Sequence, residues 1–129
     1  MNEKLNEIEL ASVWNVESIE DQPDVTICAW SIREAKYADG STSRHIVGAE
    51  TGRFAQGRVS SAIHAIDLGK KTIITESGRC YSLEGSPGYD IDAAHVWSMW
   101  KKINNVVSDT DVTTDIAHLF SNGEQTDEQ

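Results

Sequence analysis

The sequence predicts an α+β domain: an antiparallel sheet of about five strands, which could curl strongly, covered by one amphipathic C-terminal helix and a short second helix. Two observations lead to this fold class. Short alternating segments separated by turn signals fill the chain from about residue 13 to residue 83. A longer segment follows in which apolar residues recur three and four positions apart. Strands followed by helices favour α+β over an alternating α/β fold.

The first clear strand signal is the segment VTICAWSIREAKY, residues 25–37, which follows a weaker alternating segment at residues 13–19. Apolar residues occur on both of its predicted faces, with Cys28, Trp30 and Ile32 on one and Val25, Ile27 and Ala29 on the other. Such a strand is typical of the centre of a sheet, or of a strand covered on both sides.

A hairpin follows this strand. The pair Asp39-Gly40 predicts a two-residue type I′ turn, because both central positions of that turn need positive φ. The return strand covers about residues 42–47. Residues 48–57 contain three glycines and predict an exposed loop, in which Arg53 and Phe54 are the side chains suited to recognition.

The chain after this loop predicts a three-stranded β-meander. Its strands cover residues 59–66, 71–76 and 79–83, joined by a hairpin loop at 67–70 and a turn at Ser77-Gly78. A meander of this size becomes stable once its apolar face is covered.

A helix over about residues 91–106 is expected to supply that cover, with Asp90 as its N-cap. Its apolar residues form one stripe, made of Ala93, Val96, Trp97, Trp100, Ile103 and Val107. A shorter helix over about residues 112–120, capped by Ser108 or Asp111, is expected next.

The formal net charge of −10 is concentrated at the two ends of the chain. Residues 1–22 hold six acids and one base, and residues 122–129 hold three acids and no base. We expect residues 122–129 to be a disordered acidic tail and residues 1–121 to form a single domain. Direct binding to nucleic acid is not expected, because a phosphate backbone requires concentrated Lys and Arg. An acidic surface suits a basic partner.

Cysteine usage and hydropathy bear on location. Cys28 and Cys80 lie in separate predicted strands without close spacing, so we expect small buried thiols in a reducing compartment; a disulfide would require the two strands to pair closely. No apolar run approaches the roughly 20 residues that span a bilayer, and the N-terminus lacks the apolar region of a secretory signal. A cytoplasmic location without membrane contact is the expectation.

Motifs for chemistry are sparse. His45, His64, His95 and His118 show none of the close pairings of metal sites, and no cofactor loop is recognisable, so no metal or cofactor is predicted. Neither Ser60-Ser61 nor Ser77-Gly78 has the context of a nucleophile elbow. Four acidic residues, which we call the acidic group, lie around the predicted meander and the helix start: Glu76, Glu84, Asp90 and Asp92, with His95 nearby. The group could support hydrolysis if one of its carboxylates were desolvated.

The pattern RVSSAI at residues 58–63, then TxSGRxYxLxGxPGxD from Thr75 to Asp90, then Val96-Trp97, resembles a class of small uncharacterised proteins found in bacterial chromosomes, prophages and plasmids. The resemblance covers about residues 45–104 and carries no established activity or functional residue. It implies an accessory protein of mobile-element origin. Proteins of that kind commonly bind and block a host or rival protein.

These observations predict a non-catalytic protein-interaction module that binds another protein or forms a homodimer. The aromatic residues are too numerous for one small core, so Trp14 and Tyr37, together with Arg53 and Phe54, are the candidate interaction surface. Two alternatives stay open. One is a small hydrolase-like enzyme using the acidic group; the other is an acidic inhibitor that imitates nucleic acid and occupies a basic groove.

Overall fold

The computed structural model describes residues 24–51, 56–67 and 69–116. They contain seven strands and one long helix: β1 (Asp24–Lys36), β2 (Thr42–Glu50), β3 (Gly57–Val59), β4 (Ile63–Asp67), β5 (Thr72–Thr75), β6 (Cys80–Leu83), α1 (Ile91–Ile103) and β7 (Ser108–Asp111). A helical turn over residues 113–116 follows β7. The strand predicted at 13–19, the second half of the predicted second helix and the predicted acidic tail lie outside the described residues.

The sheet has the order β3-β2-β1-β6-β5-β4, with β7 attached to β1. One edge of β1 pairs antiparallel with β2. Along its other edge, residues 24–27 pair parallel with β6 and residues 33–36 pair antiparallel with β7. The α+β class is therefore confirmed, but the expectation of five antiparallel strands is wrong. The sheet is mixed because β1 and β6, which are far apart in the chain, run in the same direction. Strand β7 was not predicted because its sequence, SDTD, has no apolar alternation.

The curl of the sheet brings β4 into contact with β2. Its two end strands, β3 and β4, are not paired with each other within the described ranges, so the sheet does not close into a barrel there. This curl encloses one apolar cluster, made of Val25, Ile27, Trp30, Ile32, Ile46, Ile73, Tyr81, Leu83, Val112 and Ile116.

A β-bulge in β1 changes the predicted alternation. The pairing register with β2 shifts between Cys28 and Ser31, and Ala29 has a φ of +49°. The extra residue places Trp30 and Ile32 on the same side as Val25 and Ile27, so the predicted division of these residues between two faces is wrong. The loop after β6 holds the bulge, because the Trp30 indole N–H donates to the Gly85 carbonyl at 3.2 Å and the Gly88 N–H donates to the Trp30 carbonyl at 2.9 Å. As predicted, β1 lies at the centre of the sheet, between β2 and β6.

The left-handed backbone at Ala29 gives the first testable prediction. An L-residue in this region costs roughly 1–2 kcal/mol, and glycine avoids that cost at an entropic penalty of about 0.5–1 kcal/mol. We expect Ala29→Gly to keep or raise the free energy of unfolding by up to about 1 kcal/mol, and the β-branched Ala29→Val to lower it by about 1–3 kcal/mol. Urea denaturation measures both. Ala94→Gly, inside α1, is the control and should cost about 1 kcal/mol; an equal loss from Ala29→Gly would contradict the strained conformation.

The predicted strand at residues 59–66 is divided into β3 and β4. Between β3 and β4, the hydroxyl groups of Ser60 and Ser61 accept hydrogen bonds from backbone N–H groups of other segments. Ser60 Oγ accepts from the Ile46 N–H at 2.9 Å, and Ser61 Oγ accepts from the Ser77 N–H at 3.2 Å. As a result β3 pairs with β2, whereas β4 pairs with β5. Serine side chains compete for backbone hydrogen bonds in this way, which apolar alternation alone does not reveal.

Helix α1 packs on β2 and β3, and the expectation that it covers the meander is wrong. Its buried stripe, made of Ala93, Val96, Trp97 and Trp100, forms a second apolar cluster on the sheet face opposite the first cluster. The strand residues of this second cluster are Ala35, Val47 and Val59. The apolar side chains of β5 and β6 instead lie in the first apolar cluster, together with those of β1, because β6 lies directly beside β1 in the sheet.

Both ends of α1 have recognisable caps. Asp90 is the N-cap, as predicted, and its carboxylate accepts from the Ala93 N–H at 2.8 Å. The helix ends at Ile103 rather than near residue 106, because Asn105 takes a φ of +57° and the Asn105 and Val106 N–H groups bond to the Lys102 and Lys101 carbonyls. Val107 therefore leaves the predicted stripe and is 61% exposed. After β7, Asp111 caps the next helical turn by accepting from the Thr113 N–H at 2.8 Å.

The two cysteines are free thiols and both are half-buried. Their strands do pair, since β1 lies beside β6. However, Cys80 lies opposite Asp24, four residues from Cys28, which places the two Cα atoms about 14 Å apart. A disulfide requires less than about 7 Å, so the register prevents one.

Candidate functional site

The start of α1 carries the most exposed large apolar side chains described in the chain. Tyr89 is 69% exposed and Ile91 is 76% exposed, on either side of the N-cap Asp90. The chain approaches this point through the exposed loop that follows β6. We call Tyr89, Asp90, Ile91, Asp92 and Gln56 the helix-start surface.

The end of the predicted recognition loop reaches this surface. The Gly57 N–H donates to the Asp92 carboxylate at 2.7 Å, and Gln56, just before it, is exposed. On the other side of the loop, the Glu50 N–H donates to the Gln56 carbonyl at 2.8 Å and the Thr51 N–H donates to the Thr26 carbonyl at 2.9 Å. The loop is therefore anchored on β1, β2 and α1 together.

Of the four predicted interaction residues, Trp14, Arg53 and Phe54 lie outside the described residues. Tyr37 is half-buried and packs against the cluster beneath α1. Its hydroxyl lies 2.8 Å from Ser43 Oγ. Tyr37 thus has internal contacts, and its role in binding a partner stays a prediction.

Tyr89 and Ile91 were missed by sequence reasoning. Their apolar character is visible, but Ile91 reads as the first residue of the helix and Tyr89 as part of a loop. The signal that could have found them is the phase of α1, because Ile91 lies two positions before Ala93 and therefore off the buried stripe.

The predicted acidic group is divided between several places. Asp90 caps α1 and Asp92 binds the Gly57 N–H, so both carboxylates hold backbone groups. Glu76 and Glu84 are exposed at opposite ends of β6. His95 is exposed on α1, one turn beyond Ile91. In this arrangement the two glutamates do not share one site, and neither aspartate is desolvated in an apolar pocket.

A buried polar relay lies under α1. His45 is fully buried on β2. Its Nε2 lies 2.6 Å from Ser43 Oγ, and its Nδ1 lies 2.9 Å from the Ser60 carbonyl oxygen. The ring packs against Trp100 and Trp97, with ring centroids 4.3 Å and 5.9 Å away. Burial lowers the pKa of His45 from 6.5 to about 4. From the sequence, His45 was considered only as a metal ligand, because Ser60 and the two tryptophans that contact it are distant in the chain.

A buried arginine joins three strands on the other side of the sheet. Arg58 of β3 donates to Glu50 Oε1 of β2 at 3.0 Å and to the Tyr81 hydroxyl of β6 at 3.3 Å. Burial acts to lower the pKa of Arg58, but the Tyr81 hydroxyl and the Glu50 carboxylate outweigh it and raise that pKa. The guanidinium therefore stays charged, and removing Glu50 would leave that charge buried with weaker compensation.

A second surface lies at the opposite end of α1. A shallow depression of about 240 Å³ lies between the last turn of the helix and β7, and Val107 and Lys102 contribute to its lining. Lys101 donates to the Asp109 carboxylate at 3.1 Å across it. This surface differs from the helix-start surface in its basic side chains.

Residues 24–51, 56–67 and 69–116 contain no group of three or more His, Cys, Asp or Glu side chains that could hold a metal ion. Within the same ranges, no helix has the length and apolar character needed to cross a bilayer.

No protein-family model, no curated protein and no solved structure matches this chain. The resemblance to small proteins of bacterial chromosomes, prophages and plasmids therefore stays a prediction.

Proposed function

We propose that this protein is a non-catalytic interaction module that acts in the cytoplasm and binds a basic protein through the helix-start surface. The exposure of Tyr89 and Ile91, side by side at a capped helix end, is the observation that supports the proposal. Tyrosine and large aliphatic side chains bury much apolar area when a partner covers them, and such anchors often dominate binding energy.

The charge around these anchors indicates the kind of partner. Asp90 and Asp92 lie between and beside the two apolar side chains, and the chain as a whole has a formal net charge of −10. A partner with an apolar pocket rimmed by Lys or Arg would complement this arrangement and would be steered toward it. An accessory protein of mobile-element origin that blocks a basic host protein fits this description.

The test compares two surfaces of one molecule. The double variant Tyr89→Ser with Ile91→Ser removes both anchors, and Val107→Ser removes a similarly exposed apolar side chain at the other end of α1. Each protein is immobilised and exposed to a lysate of the native host, and the retained proteins are quantified. We expect a basic protein retained by the wild type and by Val107→Ser, with at least tenfold loss in the double variant, because truncating such anchors typically costs more than about 1 kcal/mol each.

Other outcomes would favour the alternatives. A molar mass of two chains in light scattering that falls to one in the double variant would identify the partner as a second copy. If retention of the basic protein falls steeply with salt but is equal in the wild type and the double variant at low salt, the result would support the inhibitor that imitates nucleic acid. Equal retention by the wild type and the double variant at all salt concentrations would exclude the helix-start surface as the binding site.

A further inference from the structure

We propose that Ser43 is an activated nucleophile that accepts the acyl group of small activated esters, with His45 as its general base. This reactivity is separate from the binding role of the helix-start surface. It rests on the geometry of the relay formed by Tyr37, Ser43, His45 and the Ser60 carbonyl.

The directions of the hydrogen bonds follow from the last member of the relay. A carbonyl oxygen only accepts, so the Ser60 carbonyl fixes the proton of His45 on Nδ1, 2.9 Å away. In the neutral imidazole Nε2 then carries a lone pair. Ser43 Oγ, 2.6 Å from Nε2, must donate its proton to it. The Tyr37 hydroxyl, 2.8 Å from Ser43 Oγ, in turn donates to that oxygen.

This arrangement has the three parts that activate a serine: a hydroxyl, a base within hydrogen-bond distance, and a third group that orients the base. The orienting group is a carbonyl instead of a carboxylate, so it fixes the tautomer without adding a negative charge. Two indole rings, of Trp97 and Trp100, lie against the imidazole. These rings fix the orientation of the imidazole, although burial among them disfavours the imidazolium that forms when Ser43 loses its proton.

The relay runs from the surface into the interior. Ser43 and Tyr37 are half-buried, whereas His45 is fully buried. We therefore expect a small electrophile to approach Ser43 Oγ from the solvent side, while His45 stays shielded from water. The low basicity of buried His45 limits its ability to hold the proton, so we expect one acylation for each molecule rather than rapid turnover.

The reaction is an ordinary acyl transfer. Ser43 Oγ adds to the carbonyl carbon of the ester while its proton moves to His45 Nε2. The Tyr37 hydroxyl stays hydrogen-bonded to Ser43 Oγ and holds that oxygen in place. The bond from carbon to the leaving alkoxide or phenoxide then breaks, the leaving group departs with the electron pair and takes the proton from His45, and Ser43 keeps the acyl group.

A fluorophosphonate with a short alkyl chain tests the nucleophile directly. Its phosphorus forms a bond with Ser43 Oγ, fluoride leaves with the electron pair, and the proton passes through His45 to water. We expect intact-mass spectrometry to show one label for each wild-type molecule and peptide mapping to place it on Ser43. Ser43→Ala should remove the label, and Ser86→Ala, which changes an exposed loop serine, should leave it unchanged.

Activation is separated from mere exposure by two further measurements. Ser43 in the folded wild type should react at least tenfold faster than exposed Ser86, and unfolding in guanidinium should abolish this difference. His45→Gln, with folding checked by near-ultraviolet circular dichroism, should slow labelling at least tenfold. Labelling that persists in Ser43→Ala, that spreads evenly over several serines, or that is absent from the folded wild type would overturn the proposal.

Discussion

Gly57→Ala is expected to separate helix α1 from the sheet and to lower the free energy of unfolding by about 3 kcal/mol or more. A Cβ atom at Gly57 would lie 2.5 Å from the Ala93 nitrogen and 2.6 Å from the Asp92 carbonyl carbon. Both are backbone atoms of the first turn of α1, so no side-chain rotation can relieve the overlap. The helix must move away, which opens the cluster around Trp97 and Trp100.

Urea denaturation followed by tryptophan fluorescence measures this change, because Trp97 and Trp100 are buried beneath the helix. Gly69→Ala is the matched control. A Cβ there would meet only Asp67 Oδ1 at 3.6 Å, an ordinary contact. Neither glycine has a left-handed φ, so the two variants differ in available space and not in backbone strain. Equal shifts of the denaturation midpoint in both variants would show that β3 and α1 are not in close backbone contact.

The same contact links fold to function. Gly57 and Asp92 join the end of the predicted recognition loop to the first turn of α1, where Tyr89 and Ile91 are exposed. We therefore expect Gly57→Ala to weaken partner binding as well as stability, although it removes no anchor side chain. A variant that is destabilised yet retains the partner fully would place the binding surface elsewhere.

Sequence reasoning located features whose causes are local. The apolar stripe from Ala93 to Trp100 and the Asp90 cap depend on residues three or four positions apart, and both are present. The Asp39-Gly40 hairpin is present too, but Gly40 alone has positive φ, at +90°. The Tyr37 carbonyl accepts from the Gly40 N–H, so the turn is longer than the predicted type I′ turn.

Features that depend on distant partners were not accessible from the sequence. Nothing near β1 indicates that β6 runs parallel to it, and nothing near Ala29 indicates a bulge that reverses which residues face the core. The candidate sites show the same division. Arg53 and Phe54 were chosen by residue type and stay a prediction, whereas the contacts of His45 depend on Ser60, fifteen residues away, and on α1.

The second large effect expected is a loss of stability as the pH falls from 6.5 toward 4, caused by His45. Burial lowers its pKa from 6.5 to about 4 in the folded protein, whereas the unfolded chain keeps the ordinary value. Between these values the unfolded state binds more protons, so stability decreases with decreasing pH. Above pH 6.5 the imidazole is neutral in both states and contributes no dependence. The loss reaches about 2.5 kcal/mol by pH 4.5 and about 3 kcal/mol below pH 4.

Urea denaturation at pH values from 7.5 to 4.5 measures this dependence. Burial acts to raise the pKa of Asp109 and of Asp111, but hydrogen bonds from Trp97 and Lys101 to Asp109, and from Thr113 to Asp111, outweigh it and lower both pKa values. The stability that these two carboxylates contribute is therefore lost mainly at pH values below this range. His45→Gln should be less stable at pH 7.5 but should lose most of the slope, since glutamine does not titrate. His95→Gln, at an exposed position, should keep the wild-type slope. The prediction of a neutral buried His45 is contradicted if the slope persists in His45→Gln, or if nuclear magnetic resonance shows His45 protonated near pH 6.5. Either result would also contradict the hydrogen bond from Ser43 Oγ to His45 Nε2, on which the reactivity of Ser43 depends.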